Sequence, residues 1–200
     1  MMHYEADKYR VLSKIDKIFS TIFERLLPVY NNIEDEAKQI EKDKLESLSK
    51  SFNPETMDPS DAYQEAWEDG AEHYSIQHEM KQEFLLNNAT WLFHLFEKDC
   101  LLMFDGKKGI DAINYLNGLG IETDSNSKWH TINKELRLLA NAIKHGEGPS
   151  FTALEVLRPD FFDSTYSTVQ VKINAQDLEH YIDSMKNFWN VFFDKVLPTY

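Results

Sequence analysis

The stretch from Asp61 to Phe104 limits what this chain can become more than any other, because it offers forty-four residues of helical texture without a proline. Such a run is too long to be uniform, and an interruption is expected at Gly70. Its second half, Glu79–Phe104, is the most apolar segment of the sequence and reads as the central core helix. The polar residues of that half are not scattered. Glu83, Asn87, Thr90, His94 and Glu97 stand at offsets 0, 4, 7, 11 and 14. At the helical pitch they share an arc of about 80°. Phe84, Leu85, Leu92, Phe93, Leu95 and Phe96 cover much of the rest. A helix buried on most sides must give a polar stripe either to solvent or to other polar groups. Both placements are open at this point. In the second, Glu83 or Glu97 would orient a cation on a neighbouring helix.

The other elements are also helical. Tyr9, Leu12, Ile15, Ile18, Phe19, Ile22, Phe23 and Leu26 keep the 3.6-residue period, and Pro28 ends that helix near Leu27. Residues 31–50 form a second helix, charged on most faces, with apolar positions only at Ile33, Ala37, Ile40, Leu45 and Leu48. It reads as a protruding arm over 28–50 that offers a surface to a protein partner. Asp58 or Ser60 caps the long helix. A short helix over Ile110–Leu119 stops at Gly118 and Gly120. Near the end, Gln176–Val196 buries Leu178, Tyr181, Ile182, Met185, Phe188, Trp189, Phe192 and Phe193, with Asn174 as N-cap and Asp177 three residues on.

Between Trp129 and Gly148, the run WHTINKELRLLANAIKHGEG predicts one amphipathic helix. Leu136, Leu139, Ala140 and Ile143 fall on one arc. Lys134, Arg137, Asn141, Lys144 and His145 fall on another, about 100° wide. Arg137, Asn141 and His145 are spaced i, i+4, i+8, so they line one edge. Gly146 is the expected stop, and Pro149 is expected to forbid a restart. The segment 149–175 then reads as a β or irregular excursion, with a short strand over Thr165–Ile173 where Val169, Val171 and Ile173 alternate with Gln170 and Lys172. The expected fold is a single all-α domain over 1–200: a helical bundle of long antiparallel helices with a small β insertion before the last one.

Several classes of function are disfavoured. A net charge of −13 is wrong for a nonspecific nucleic-acid coat. One cysteine, Cys100, allows no internal disulfide and sits in an apolar run, as a structural thiol would. The N-terminus shows no apolar leader, and no apolar run approaches the roughly 18 residues needed to span a bilayer. A cytoplasmic protein with no membrane association is expected. There is no Walker loop and no G-x-G-x-x-G. His-Glu-x-x-His, paired cysteines and the Glu-x-x-His pairs of di-iron bundles are all missing, so no metal and no cofactor is expected.

The run ELRLLANAIKHGEG, late in a helical chain, resembles the HEPN superfamily, short helical bundles that are usually dimeric. Many of its members are metal-independent RNases of toxin–antitoxin and anti-phage defence systems. Their signature joins an Arg, often followed by Asn, to a His near the end of a helix. Asn141 and His145 match the Asn and His of the R-N-x-x-x-H form; Ala140 stands where that form has Arg, and Arg137 lies one turn earlier. The resemblance implies a homodimer, an RNA substrate, and catalysis by Arg137, Asn141 and His145. Lys134 and Lys144 would hold phosphate, while Glu83, Asn87 and His94 form the supporting polar stripe. His145 would act as general acid or base near neutral pH. The alternative is a non-catalytic helical module, an antitoxin, sensor or partner-binding subunit, which Ala140 and the acidic charge favour.

Overall fold

A computed structural model of the chain describes residues 4–163 and 170–197. It is all-α. The elements run α1 Tyr4–Phe19, a π-helical turn Ser20–Leu26 and a 3-10 turn Leu27–Tyr30 around Pro28, then α2 Ile33–Lys50 and α3 Pro59–Met103. Next come α4 Gly109–Gly118, α5 Lys128–His130, a π-helical turn Thr131–Leu136 and α6 Arg137–His145. After them follow α7 Pro149–Leu157, a 3-10 turn Pro159–Phe161, strands β1 Phe162–Asp163 and β2 Gln170–Val171, and α8 Ala175–Val196. Among the described residues no helix is long and apolar enough to cross a membrane.

The chain divides into two compact units, residues 22–83 and the remainder. In the larger unit, α8 supplies the centre. Tyr181, Phe188, Trp189, Phe192 and Phe193 are fully buried there. Phe96 and Phe104 of α3 and Trp129 of α5 meet Phe188, Trp189 and Phe192 with ring centroids 5.3–6.2 Å apart. Each such ring removed from water is worth about 1.5–3 kcal/mol, so this cluster is the main driving force for the unit. Helix α1 lies antiparallel to α8, with ion pairs Lys8–Asp194 and Lys186–Asp16 at its two ends. The start of α8 carries a complete capping box: the Asn174 side chain accepts from the Asp177 N–H and the Asp177 carboxylate accepts from the Asn174 N–H.

The smaller unit is a helical hairpin of α2 against the first half of α3. Lys44 reaches Glu65 and Asp69 across it, and His73 meets Glu36. Ile33, Ala37 and Ala66 are buried between the helices. Asp58 caps α3 by accepting from the backbone N–H and hydroxyl of Ser60, which lowers its pKa.

Two expectations are corrected. Gly70 does not interrupt α3, which is continuous from Pro59 to Met103. A Cβ at Gly70 would stand 2.9 Å from the Ala37 carbonyl oxygen and 3.3 Å from Glu41 Cβ. The glycine therefore serves close approach between helices, not a break. Pro149 does not forbid a restart either: it is the first residue of α7, where its missing N–H has no partner to lose. Much of the 149–175 excursion is thus helix. Of the expected strand Thr165–Ile173, residues 164–169, which include Val169, lie outside the described residues. Gln170 and Val171 pair antiparallel with Asp163 and Phe162 within the chain.

Gly70→Ala gains about 0.8–1 kcal/mol of helix propensity but loses about 1–3 kcal/mol to overpacking against a carbonyl that cannot retreat. Circular-dichroism melts are expected to show lower stability for Gly70→Ala. Gly118, with open space around its Cβ position, is expected to gain about 0.4–1 kcal/mol as Ala. An unchanged or raised midpoint for Gly70→Ala would contradict the packing argument.

Candidate functional site

The helix carrying the expected row is one continuous rod from Lys128 to His145 with a π-helical turn inside it. Ser127 caps it, its side chain accepting from the His130 N–H at 3.1 Å. A π turn inserts extra residue angle into the rod, so positions on either side change phase. The result is burial on two faces. Leu136, Leu139 and Ala140 are buried as expected, Ile143 of the same arc is half-buried, and Trp129, Ile132, Leu138 and Ala142 are buried as well. Helix α7 packs against α6. Gly146 ends the rod at φ 67°, a backbone angle that a side chain would strain.

The expected cationic row lies on the face that remains. Lys134, Arg137, Lys144 and His145 are exposed and Asn141 is half-buried. Among the described residues, the side chains of Arg137, Asn141, Lys144 and His145 have no hydrogen-bond or ion-pair partner. The row therefore offers a guanidinium, an amide, an ammonium and an imidazole with all their polar atoms available. Position 140, where the R-N-x-x-x-H form has its arginine, is only 1% exposed. An arginine cannot replace this alanine without burying a charge against the bundle core.

The polar stripe of α3 lies at the surface. Glu83, Asn87, His94 and Glu97 are exposed and Thr90 is half-buried. His94 stands 3.8 Å from Glu97 on its own helix, and the Thr90 hydroxyl donates to the Leu86 carbonyl. Arg137 is not oriented by Glu97. The structure thus groups Lys134, Arg137, Asn141, Lys144 and His145 by one helix edge.

A different polar cluster is built into the larger unit. The Arg158 guanidinium donates to Glu135 at 2.6 Å, to Asp177 at 2.9 Å, and in fork geometry to Asp160 at 2.7 and 2.9 Å. Its face lies 3.7 Å from the centre of the Phe161 ring. The Tyr181 hydroxyl donates to the same Glu135 oxygen at 2.7 Å. Side chains of Arg158, Glu135 and Asp177 are only 22%, 15% and 15% exposed. Hydrogen bonds from Arg158 hold the exposed Asp160 carboxyl below its usual range. Burial, then the Glu135 charge, pushes the Tyr181 hydroxyl far above its usual range. In the sequence Asp177 reads as a cap and Tyr181 as a core position, and spacing does not mark Arg158 or Glu135. The one local signal was an arginine flanking a turn beside acidic residues, which is common on surfaces.

Asp99 of α3 is a second buried charge, paired with Lys14 at 2.5 Å and with Arg10 at 3.8 Å, both from α1. The adjacent Cys100 thiol is buried, and burial, with Asp99 and Glu97 nearby, raises its pKa well above the ordinary thiol value. It is an inert packing group. Among the described residues no three His, Cys, Asp or Glu side chains converge as a metal site requires. Comparison with protein-family models, curated proteins and solved structures finds no match for the chain.

Arg158→Met leaves Glu135 and Asp177 shielded without their cation and is expected to cost about 3 kcal/mol in urea unfolding. Arg158→Lys, which keeps the charge but not the fork, should fall between the two. A loss under about 0.5 kcal/mol for Arg158→Met would show an ordinary surface pair.

Tyr181 gives a pH dependence of known sign. The folded chain keeps this proton at a pH where the unfolded chain releases it, so the stabilisation is complete below about pH 10 and is lost as pH rises above it. Tyr181→Phe is expected to cost about 1 kcal/mol at neutral pH and to lose less stability than wild type between about pH 9 and pH 11. Parallel pH profiles for the two proteins would contradict the assignment.

Proposed function

We propose that this protein is a non-catalytic, HEPN-like helical module that binds RNA through the edge of α6. The observation that carries this reading is the row itself. Lys134, Arg137, Lys144 and His145 are exposed on one helix edge, and the last three have no partner among the described residues. In a chain of net charge −13, unpaired cations on one edge are the exception that needs a reason. Phosphate oxygens match that donor set: a guanidinium forks onto two of them, and an ammonium and an amide take others. The acidic remainder of the chain repels RNA elsewhere, which confines binding to this edge.

The non-catalytic form is favoured over cleavage by two features. Among the described residues no carboxylate orients Arg137 or His145, and the buried Ala140 denies the motif its usual arginine. Cleavage keeps one specific support: His145 and Arg137 share an open edge directly after a π-helical turn, a feature often found at functional sites. In that reading His145 takes the 2′-hydroxyl proton or protonates the leaving 5′ oxygen, and Arg137 stabilises the charge on the phosphorane. A homodimer would place two rows in one cleft and supply both an acid and a base.

A tRNA and mRNA panel with EDTA present distinguishes these readings. Wild type is expected to shift RNA at low salt without cutting it. Arg137→Ala should weaken binding about five- to tenfold and reduce the salt slope by about 0.7, the loss of one single-strand phosphate contact. Cleavage by wild type that disappears in His145→Ala would overturn the non-catalytic reading in favour of the enzyme. Absence of any RNA affinity would remove both.

A further inference from the structure

The hairpin of residues 22–83 differs from the rest of the molecule in charge. It holds sixteen of the 34 acidic residues and six of the 21 basic ones, so a net −10 of the total −13 sits in this unit. Its two helices satisfy each other along one face only. On α3, Ala66 and Gly70 are buried against α2, Glu65 and Asp69 pair with Lys44, and His73 pairs with Glu36.

Beside that face runs an aromatic edge. Tyr63, Trp67 and Tyr74 stand at offsets 0, 4 and 11, within about 40° of one another on the helix and over about 16 Å of its length. They are 62%, 60% and 40% exposed. His78 continues the edge by one turn, its ring centroid 4.3 Å from that of Tyr74. Single exposed apolar residues are ordinary on a protein surface, but a Trp and two Tyr aligned on one edge are not. Tryptophan and tyrosine are the residue types that most often anchor interfaces. Helix α2, expected from its sequence to be the partner-facing arm, has its apolar positions Ile33 and Ala37 buried in the hairpin. The anchors are on α3.

We propose that this edge of α3 is a docking surface for a lysine- and arginine-rich segment of a partner protein. Charge complementarity selects that occupant. The exposed carboxylates Glu68, Glu72 and Glu79 lie on the same helix, about 100–180° round its axis from the aromatic residues, and with the net −10 of the unit they attract the cationic side chains of a segment that wraps from the aromatic edge around the helix. The ring faces of Trp67, Tyr63 and Tyr74 hold guanidinium or ammonium groups by cation–π attraction and cover their apolar stems. RNA and anionic membrane surfaces are repelled by the same −10. This surface belongs to the smaller unit and the α6 row to the larger one, and neither reading depends on the other.

The test uses the full chain and a fluorescein-labelled amphipathic arginine–leucine peptide of about 18 residues, one that forms about five helical turns, with a glutamate–leucine counterpart as control. Fluorescence anisotropy is expected to show binding of the basic peptide only, weakening as salt rises. Trp67→Ala and Tyr63→Ala should each weaken it at least fivefold with unchanged melting midpoints. Glu68→Lys/Glu72→Lys should weaken it further and flatten the salt dependence. Arg137→Ala should leave it unaltered, which separates this result from the RNA assay. Four outcomes would overturn the proposal: no binding, equal binding of both peptides, binding indifferent to Trp67→Ala and Tyr63→Ala, or phosphatidylserine-vesicle binding that Trp67→Ala abolishes. Self-association of the free chain that is lost in Trp67→Ala would assign the edge to a second copy instead.

Discussion

The larger unit depends on one guanidinium. Arg158 follows α7, yet its donors end on Glu135 in the π-helical turn and on Asp177 in the first turn of α8. Three segments distant in sequence are thereby tied at one point beneath partial cover. A charge in such a place is unfavourable unless all its partners are present, and the partners are equally unfavourable without it. The tie is therefore cooperative: the aromatic cluster supplies the driving force, and the Arg158 cluster selects how the helices are placed around it.

That selection reaches the candidate site through helix phase. Glu135 is turned inward to Arg158 and Tyr181, while Arg137, two residues on, is turned out to solvent. A rod with a π turn can satisfy both demands and still bury Ile132 and Leu136. The availability of the cationic row is thus a consequence of packing on the opposite side of the same helix. Ala140 is part of that consequence, since the phase that exposes Arg137 places position 140 in the core. The displaced arginine and the buried alanine are two aspects of one geometry.

The two units divide the chemistry as well as the chain. The hairpin is strongly acidic and bears aromatic residues on its surface, while the bundle is close to neutral and bears the unpaired cations. Helix α3 serves both, and its composition changes to match. Its first half follows a narrow contact with α2 through Ala66 and Gly70, and its second half carries Leu85, Leu92, Phe96 and Phe104 into the bundle core. One helix with two patterns of burial explains why no single amphipathic face describes all forty-five of its residues.

Local periodicity determined much of this molecule unaided. The helices other than α7, the Pro28 break, the Asn174–Asp177 cap, every buried apolar position of α8 and the open edge of α6 could all be read from spacing and capping chemistry. These features arise from interactions over three or four residues, which a sequence displays directly. Only the tertiary structure decided the roles of Gly70, Pro149, Glu135 and Arg158. A glycine that permits close approach resembles a glycine that breaks a helix, and a proline at a first turn resembles one in a stop. The meeting of residues 135, 158, 177 and 181 has no short-range signature. The partners of a buried charge are chosen by packing, and packing joins positions that the linear order keeps apart.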